Sequence, residues 1–304
     1  MRKYIVCTSI NPLTLALEKY DSLNDWTLIV VGDQKTPIDY KLMNGIYLSP
    51  MDQEKISLKL SDLIGWNCIQ RRNFGLLHAF NLGADIVATV DDDNIPLDNW
   101  GSEILVDKEL ELKEFQIESE VFDPIGATSY KHLWHRGFPL ELINQRNFTQ
   151  HKQALVTPVV QADFWNGDPD IDAFCRLEHK PNCNFNDTDF PFTSNKISPF
   201  NSQNTILSKN IAFDYFLYPH VGRMDDIWAS YYVQSLGNRV VYSKPTVFQD
   251  RNVHNLIEDL KKEYLGYENN LQLVRSISSN PKKISNYLPQ QSLDAWNVYR
   301  DLLK

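Results

Sequence analysis

Short apolar runs alternate with helix-spaced ones over the first hundred residues. Residues 4–8 form an apolar strand, closed by the turn Ser9-Ile10-Asn11-Pro12 and followed by a helix over 13–20. A second strand over 26–31 ends at Gly32-Asp33, and 45–48 make a short third. In 71–82, Phe74, Leu77 and Phe80 recur at helical spacing, Leu76 and Ala79 widen the apolar face, and Gly83 supplies the stop. Residues 86–90 are a buried strand that runs straight into Asp91-Asp92-Asp93-Asn94. Strand and helix in alternation predict a parallel sheet with crossover helices.

From 123 to 208 the pattern weakens into aromatics, Asn, Asp and Pro, as expected of irregular loops and short strands around a site. Regularity returns with a helix over 224–236, with Asp225 as its N-cap and Gly237 just past its end. Strands are expected at 239–242 and 246–248, and helices at 255–267 and 292–303. There is no repeat and no linker-like tract. The expectation is one α/β domain over 1–250 with a helical extension, 251–304, packed on it.

Composition narrows the function. At 304 residues, with 42% hydrophobic and 23% charged positions, the chain is ordinary globular protein rather than disordered. A net charge of −9 argues against broad nucleic-acid binding, which needs an extended basic face, but leaves room for a small phosphorylated ligand held by a few cations or a metal ion. No apolar run approaches the ~20 residues of a bilayer span. Met1-Arg2-Lys3 leads directly into the first strand, too short a lead for a signal sequence. Cys7, Cys68, Cys175 and Cys183 show no CxxC pairing, so free thiols and a cytoplasmic location are expected, with any membrane contact peripheral and through a partner.

The candidate chemistry starts at Asp91-Asp92-Asp93. On a surface such a triplet is usually a solvated turn. Here it follows an apolar strand at the carboxyl end of a sheet, where open α/β folds bind ligands. Adjacent carboxylates repel, and a divalent cation among them removes that cost. Oxygen ligands suit Mn²⁺ or Mg²⁺, with Asp91 and Asp93 reaching one side of the chain end. His254, after the last strand, is either a surface residue or a third ligand; His132, His135 and His220 have weaker claims. In Gly222-Arg223-Met224-Asp225-Asp226-Ile227-Trp228 the acids are either helix-start residues or a general base, Asp225 or Asp226, facing a sugar hydroxyl. Arg71, Arg72 and Arg223 are the cations available to a diphosphate, one of the first two facing the site and the other solvated. No P-loop, GxGxxG or Ser/His/Asp pattern is present.

Two stretches carry a family resemblance. Trp66-Asn67, Arg71-Arg72-Asn73-Phe74-Gly75, Gly83-Ala84-Asp85-Ile86 and Asp91-Asp92-Asp93-Asn94, with Val30-Val31-Gly32-Asp33-Gln34-Lys35-Thr36-Pro37, resemble the STELLO-type glycosyltransferases. Gly222 to Ala229 and Leu260-Lys261-Lys262-Glu263-Tyr264 are similar to the reversibly glycosylated polypeptides, the UDP-arabinopyranose mutases. Weaker matches are Gly137-Phe138-Pro139-Leu140 and the stretch from Trp165 to Asp172. The matches run in order from about residue 5 to 267. The resemblance implies a GT-A-like nucleotide-diphosphosugar transferase fold, with a mostly parallel central sheet and flanking helices. It places Thr8, Ser9, Asn11 and Asp33 around base and ribose, with Asp92 on the donor side. Asp91 and Asp93 fall on the metal motif, and Asp225 or Asp226 in the region of the catalytic or acceptor-facing acid. The mutases' self-glycosylated arginine falls on Ile143, with Arg146 three residues on.

The leading expectation is metal-dependent transfer of a sugar from a nucleotide-sugar, UDP-linked, to a glycan, lipid-linked or other hydroxyl acceptor. The alternatives are a UDP-sugar mutase that interconverts ring forms without releasing UDP, and a non-catalytic nucleotide-sugar-binding protein.

Overall fold

Apolar runs at the start of the chain fold as parallel neighbours. Strand Lys3–Ser9 (β1) leads through helix Leu15–Asp21 (α1) to Thr27–Gly32 (β2), which pairs in parallel with β1 along its whole length. Ile46–Leu48 (β3) adds to β2, again in parallel. A computed structural model describes residues 1–249 and 255–303.

Between β3 and the expected 71–82 helix lies a helix the apolar pattern does not announce, Pro50–Ile64 (α2). Its start is specified locally. Ser49 Oγ accepts from the Asp52 amide, the Asp52 carboxylate accepts from the Ser49 amide (both 3.2 Å), and Pro50 takes the first helical position. Replacing Ser49 with alanine is expected to cost about 1 kcal/mol, seen as a lower urea midpoint.

Arg72–Asn81 (α3) then precedes Ile86–Val90 (β4), buried at every position and parallel to β1 on the side opposite β2. The chain therefore reverses its direction of travel across the sheet at β1 and β4.

Past β4 the chain, including the weakly patterned middle, is more regular than its sequence. Asn94–Pro96 (β5), Leu110–Phe115 (β6), His151–Val156 (β7), Val160–Gly167 (β8), the short helix Ala173–Glu178 (α4), Phe192–Ser194 (β9) and Asn204–Ser208 (β10) all join one construction. β8 and β10 are central rather than peripheral. β8 escapes the alternating pattern because its buried Gln161 and Asp163 satisfy one another (2.8 Å), and Thr246 donates to Asp163 (3.1 Å).

Three further boundaries differ from expectation. Helix Asp225–Ser235 (α5) begins at Asp225, so that residue is the first helical position and Met224 the cap. The two late strands are one, Val240–Gln249 (β11), irregular between Ser243 and Val247 around Pro245. Helix Leu256–Ser279 (α6) runs well past 267 and carries Gly266 inside it, where a Cβ would overlap Met224 Sδ. The last helix is Gln290–Leu302 (α7).

The strands form a single sheet in the order β3-β2-β1-β4-β10-β8-β11-β9-β6-β7, with β5 on β11. β10 is antiparallel to both β4 and β8, and β8 is parallel to β11. Thus β1, β2, β3, β4, β8 and β11 all end at one edge, within an α/β sheet flanked by helices. α7 packs on α2, and Asn81 donates to the Leu302 carbonyl (3.0 Å). α6 packs on α4 and α5. No helix among the described residues is long and apolar enough to cross a membrane.

Candidate active site

At the edge where β1 and β4 end, the acidic triplet divides a cleft in two. β4 delivers Asp91 to the rim, and Arg72, on the first turn of α3, donates to its Oδ1 at 2.6 Å. The same guanidinium donates to the carbonyls of Val90 (2.9 Å) and Ser202 (2.6 Å) and to Ser202 Oγ (2.9 Å), so it fixes Asp91 against the sheet. Asp92 turns the other way. Its Oδ2 accepts from Ser9 Oγ (2.5 Å) and Asn11 Nδ2 (2.9 Å), and its carbonyl accepts from Thr14 Oγ1 (2.6 Å). Asp91 and Asp93 line one cavity; Asp92 lines the other; Ile69 stands between them and borders both.

The cavity on the Asp92 side holds about 330 Å³ and lies over the ends of β1 and β2. Thr8, Ser9, Asn11 and Asp33 line it. Asp33 accepts from the amides of Gln34 (2.6 Å) and Cys68 (3.2 Å), which ties the end of β2 to the loop before α3. Arg71 also borders this cavity but is buried. Its Nε donates to Gln53 Oε1 (2.8 Å) and its Nη1 to Ser61 Oγ (3.0 Å), and its plane lies 3.6 Å from the Trp66 ring. Its Nη2 has no hydrogen-bond partner among the described residues. Neither arginine is solvated, contrary to the expectation for this pair. Arg72 is sandwiched between β4 and the Ser202 loop, and α2 supplies an amide and a hydroxyl to Arg71.

On the other side the cavity holds about 220 Å³, and Asp225 and Asp226 reach it from the start of α5. The two acids are treated differently. Asp226 is gripped by Arg136 through Nη1 (3.0 Å) and Nη2 (3.1 Å) and accepts from the Ser202 amide (2.9 Å). Burial works to raise its pKa, but the Arg136 charge together with the hydrogen bonds from Arg136 and the Ser202 amide holds Asp226 below the ordinary carboxylate value. Asp225 has no cation in direct contact among the described residues; neutral Gln70 donates to its Oδ2 at 2.8 Å. Burial, with the charge of Asp226 beside it, pushes its pKa up to about 7.

Arg136 also donates to Asp170 (2.9 Å) and to the Arg223 carbonyl. Arg223 turns back to α6, where Nε meets Glu263 (2.9 Å) and Nη1 meets Asp259 (3.3 Å). Arg136, Asp170, Gln70 and Ser202 are site residues that the sequence pattern does not single out. The available signal was that Arg136 adjoins the Gly137-Phe138-Pro139-Leu140 match and Asp170 lies in the stretch from Trp165 to Asp172.

Gly222, at the mouth of this cavity, has φ +63°, and a Cβ there would run into the Lys262 carbonyl of α6. Gly222→Ala is expected to cost roughly 1–3 kcal/mol, measured as a fall in thermal midpoint. His254 lies outside the described residues. Arg146 is bound to Asp123 (2.7 Å) and to the Leu133 and Ile143 carbonyls (2.5 and 3.1 Å), and borders a separate cavity.

Asp91 and Asp93 fit a hard divalent cation. Mg²⁺-type sites commonly use one or two carboxylates, with water and phosphate oxygens filling the rest of the shell. Among the described residues no group of three or more His, Cys, Asp or Glu forms an all-protein metal cage.

Fold and cleft define an α/β protein with a divided, ligand-sized cleft at the carboxyl edge of its sheet. No family model matches the chain. It is 24% identical over 268 residues to an Arabidopsis thaliana protein named Probable glycosyltransferase STELLO1, covering 80% of this chain and 35% of that protein. Probable glycosyltransferase STELLO2 of the same plant is 24% identical over 269 residues, covering 81% and 35%. The chain therefore spans about a third of the length of these relatives. Among solved structures, glucosyl-3-phosphoglycerate synthase from Mycobacterium tuberculosis, in complex with phosphoglyceric acid, overlaps with a TM-score of 0.48 at 11% identity, covering 91% of this chain and 80% of that one. The resemblance to STELLO-type proteins read from short motifs thus extends over most of the chain.

Proposed function

We propose that the chain is a GT-A-type glycosyltransferase that moves the sugar of a nucleotide-sugar, with UDP as the nucleotide, to a hydroxyl acceptor. The observation that carries this reading is the division of the acidic triplet between two cavities. It leaves room for a nucleoside over β1 and β2 and for the reacting sugar beside Asp225, with carboxylates at the junction. The similarity to proteins named as glycosyltransferases supports the same reading.

Thr8, Ser9, Asn11 and Asp33 are the groups proposed to surround base and ribose, with Arg71 buried in the wall behind them. Asp92 shapes this wall by holding Ser9 and Asn11. Asp91 and Asp93, with His254 as a further candidate ligand, would hold Mn²⁺ or Mg²⁺; such an ion, when bound, stabilises charge on the departing diphosphate. Arg72 positions Asp91 rather than meeting phosphate itself. Arg223 faces the cleft with two carboxylates behind it, which weakens its pull on a diphosphate.

Asp225 is the proposed general base. A carboxylate whose pKa lies near 7 can take the proton of an acceptor hydroxyl and still be ionised in a useful fraction of molecules. Asp226 stays charged and fixed by Arg136 and Ser202. Arg146 is committed to Asp123 and borders a cavity separate from the divided cleft, which supports transfer over ring interconversion.

Product analysis tests this reading. With Mn²⁺ and a panel of UDP-sugars and glycoside acceptors, release of UDP should match the appearance of an extended acceptor. A rearranged UDP-sugar with no UDP released would point to the mutase instead.

A further inference from the structure

Independently of the transferase reading, we infer that the protein carries a second ligand site, outside the divided cleft, for a sugar bearing a carboxylate or phosphate group. The site is a cavity of about 500 Å³ at the β6–β7 end of the sheet, larger than either half of the cleft. Its deep and outer parts differ in chemistry. Phe115 is buried in β6 and Phe148 is half-buried before β7; their rings meet edge to face with centroids 6.2 Å apart. Ile143 and Ala127 extend this apolar floor. A floor of that kind takes the C–H face of a sugar ring and leaves the ring hydroxyls to the polar groups around it. Those groups are exposed. Asn147 Oδ1 accepts from the Thr149 amide (3.0 Å) and hydroxyl (2.8 Å), which leaves its Nδ2 to serve a ligand. Asp189 holds the amide of Ser129 (3.2 Å), whose hydroxyl is at the rim.

The charges decide the class of ligand. Lys113, Lys131 and Arg146 border the cavity, against a single acid, Asp189. Arg146 is neutralised from behind by buried Asp123 (2.7 Å). Lys113 and Lys131 form no ion pair among the described residues, and Lys113 Nζ lies 4.5 Å from the Phe115 ring centroid, over the apolar floor. Strand alternation keeps the nearest acid away from it. Glu114 lies between Lys113 and Phe115 in sequence but on the opposite face of β6, where it takes Lys152 (3.4 Å) and Arg239. Glu111 shares the face of Lys113 but lies outside the lining. Two lysines against one acid leave positive charge in excess, in a chain whose net charge is −9. An anionic group on the sugar supplies what the cavity lacks.

The test measures binding to the intact chain by ligand-observed NMR. Methyl glucuronide and glucose 6-phosphate are compared with methyl glucoside and with inorganic phosphate. At least one of the two acidic sugars is expected to bind about fivefold or more tighter than both the neutral glycoside and inorganic phosphate at low salt. The gap should close as ionic strength rises, and the tighter of the two acids identifies the anionic group. Saturating UDP with Mg²⁺ should leave these constants within about twofold, because the cavity is not part of the cleft.

Variants place the binding. Lys113→Gln with Lys131→Gln should weaken the acidic sugars about fivefold or more and change the neutral glycoside less than about twofold, at an unchanged thermal midpoint. Asp189→Asn keeps an acceptor for the Ser129 amide, removes the opposing charge, and should tighten acidic binding about twofold or more. Three results would each overturn the inference. They are acidic sugars that bind no better than the neutral glycoside or inorganic phosphate, acidic binding displaced by UDP, and acidic binding indifferent to the double lysine substitution.

Discussion

Replacing Asp93 with alanine is expected to abolish metal-dependent stabilisation by nucleotides and to lower sugar transfer by about 10²–10³-fold or more. Asp93 and Asp91 are the acids of the triplet that border the reaction cavity, and Asp92 faces the nucleoside side. Asp91 cannot take over alone, because one of its oxygens is held by Arg72 at 2.6 Å. A hard cation left with that single carboxylate keeps too few protein ligands to be retained at ordinary metal concentrations. The fold should survive. Asp93 is half-buried in the turn after β4, outside the sheet ladder, so the thermal midpoint without nucleotide should stay close to that of the parent. Retained transfer in a variant with unchanged folding would remove the ion from the account.

Asp225→Asn should reduce the rate by about 10²–10⁴-fold, the range expected for loss of a positioned base. In the parent the rate should rise with pH through about 7 and level off, because the ionised form is the one that accepts a proton. The asparagine variant should lose that limb. The same substitution carries a stability signature with a definite sign. The folded-state pKa of Asp225 lies above the ordinary value of 3.8, so between the two the folded chain binds more protons than the unfolded one. Its contribution to stability is therefore present at low pH and lost as pH rises through about 7. Asp225→Asn should be more stable than the parent above pH 7, with the difference shrinking toward pH 4. A variant less stable at pH 8 would mean that the ionised carboxylate is held by partners stronger than Gln70.

How far the sequence announces this molecule depends on whether each element buries apolar or polar groups. β1, β2 and β4 are short apolar runs, and the sequence itself places the triplet at the end of β4 at the sheet edge. α2 is not announced in this way, because its buried face includes Gln53 and Ser61, there to hold Arg71, so its apolar stripe is diluted. Only the Ser49, Pro50 and Asp52 capping signal marks it. β8 is hidden for the same reason, by Gln161 and Asp163. The site shows a third kind of limit. Arg136 lies 34 residues from Asp170 and 90 from Asp226, and no local pattern reports a contact of that span. The assignment of a solvated arginine to the pair Arg71 and Arg72 failed because an arginine can be held inside a protein when carbonyls, side-chain amides and hydroxyls, and an aromatic face surround most of it.

In the proposed reading the divided cleft takes a nucleotide on one side and a metal-dependent reacting sugar on the other. Thermal unfolding with a panel of nucleotides and nucleotide-sugars, with and without Mn²⁺, tests it most directly. A ligand at ~100 times its dissociation constant adds about 2.7 kcal/mol of stability, a readily measured rise in midpoint. UDP or a UDP-sugar is expected to raise the midpoint only when Mn²⁺ is present, and Asp93→Ala to remove the rise. A folded sample that responds to no nucleotide, with or without the metal, would contradict it and leave the acidic triplet as a turn at the edge of the sheet.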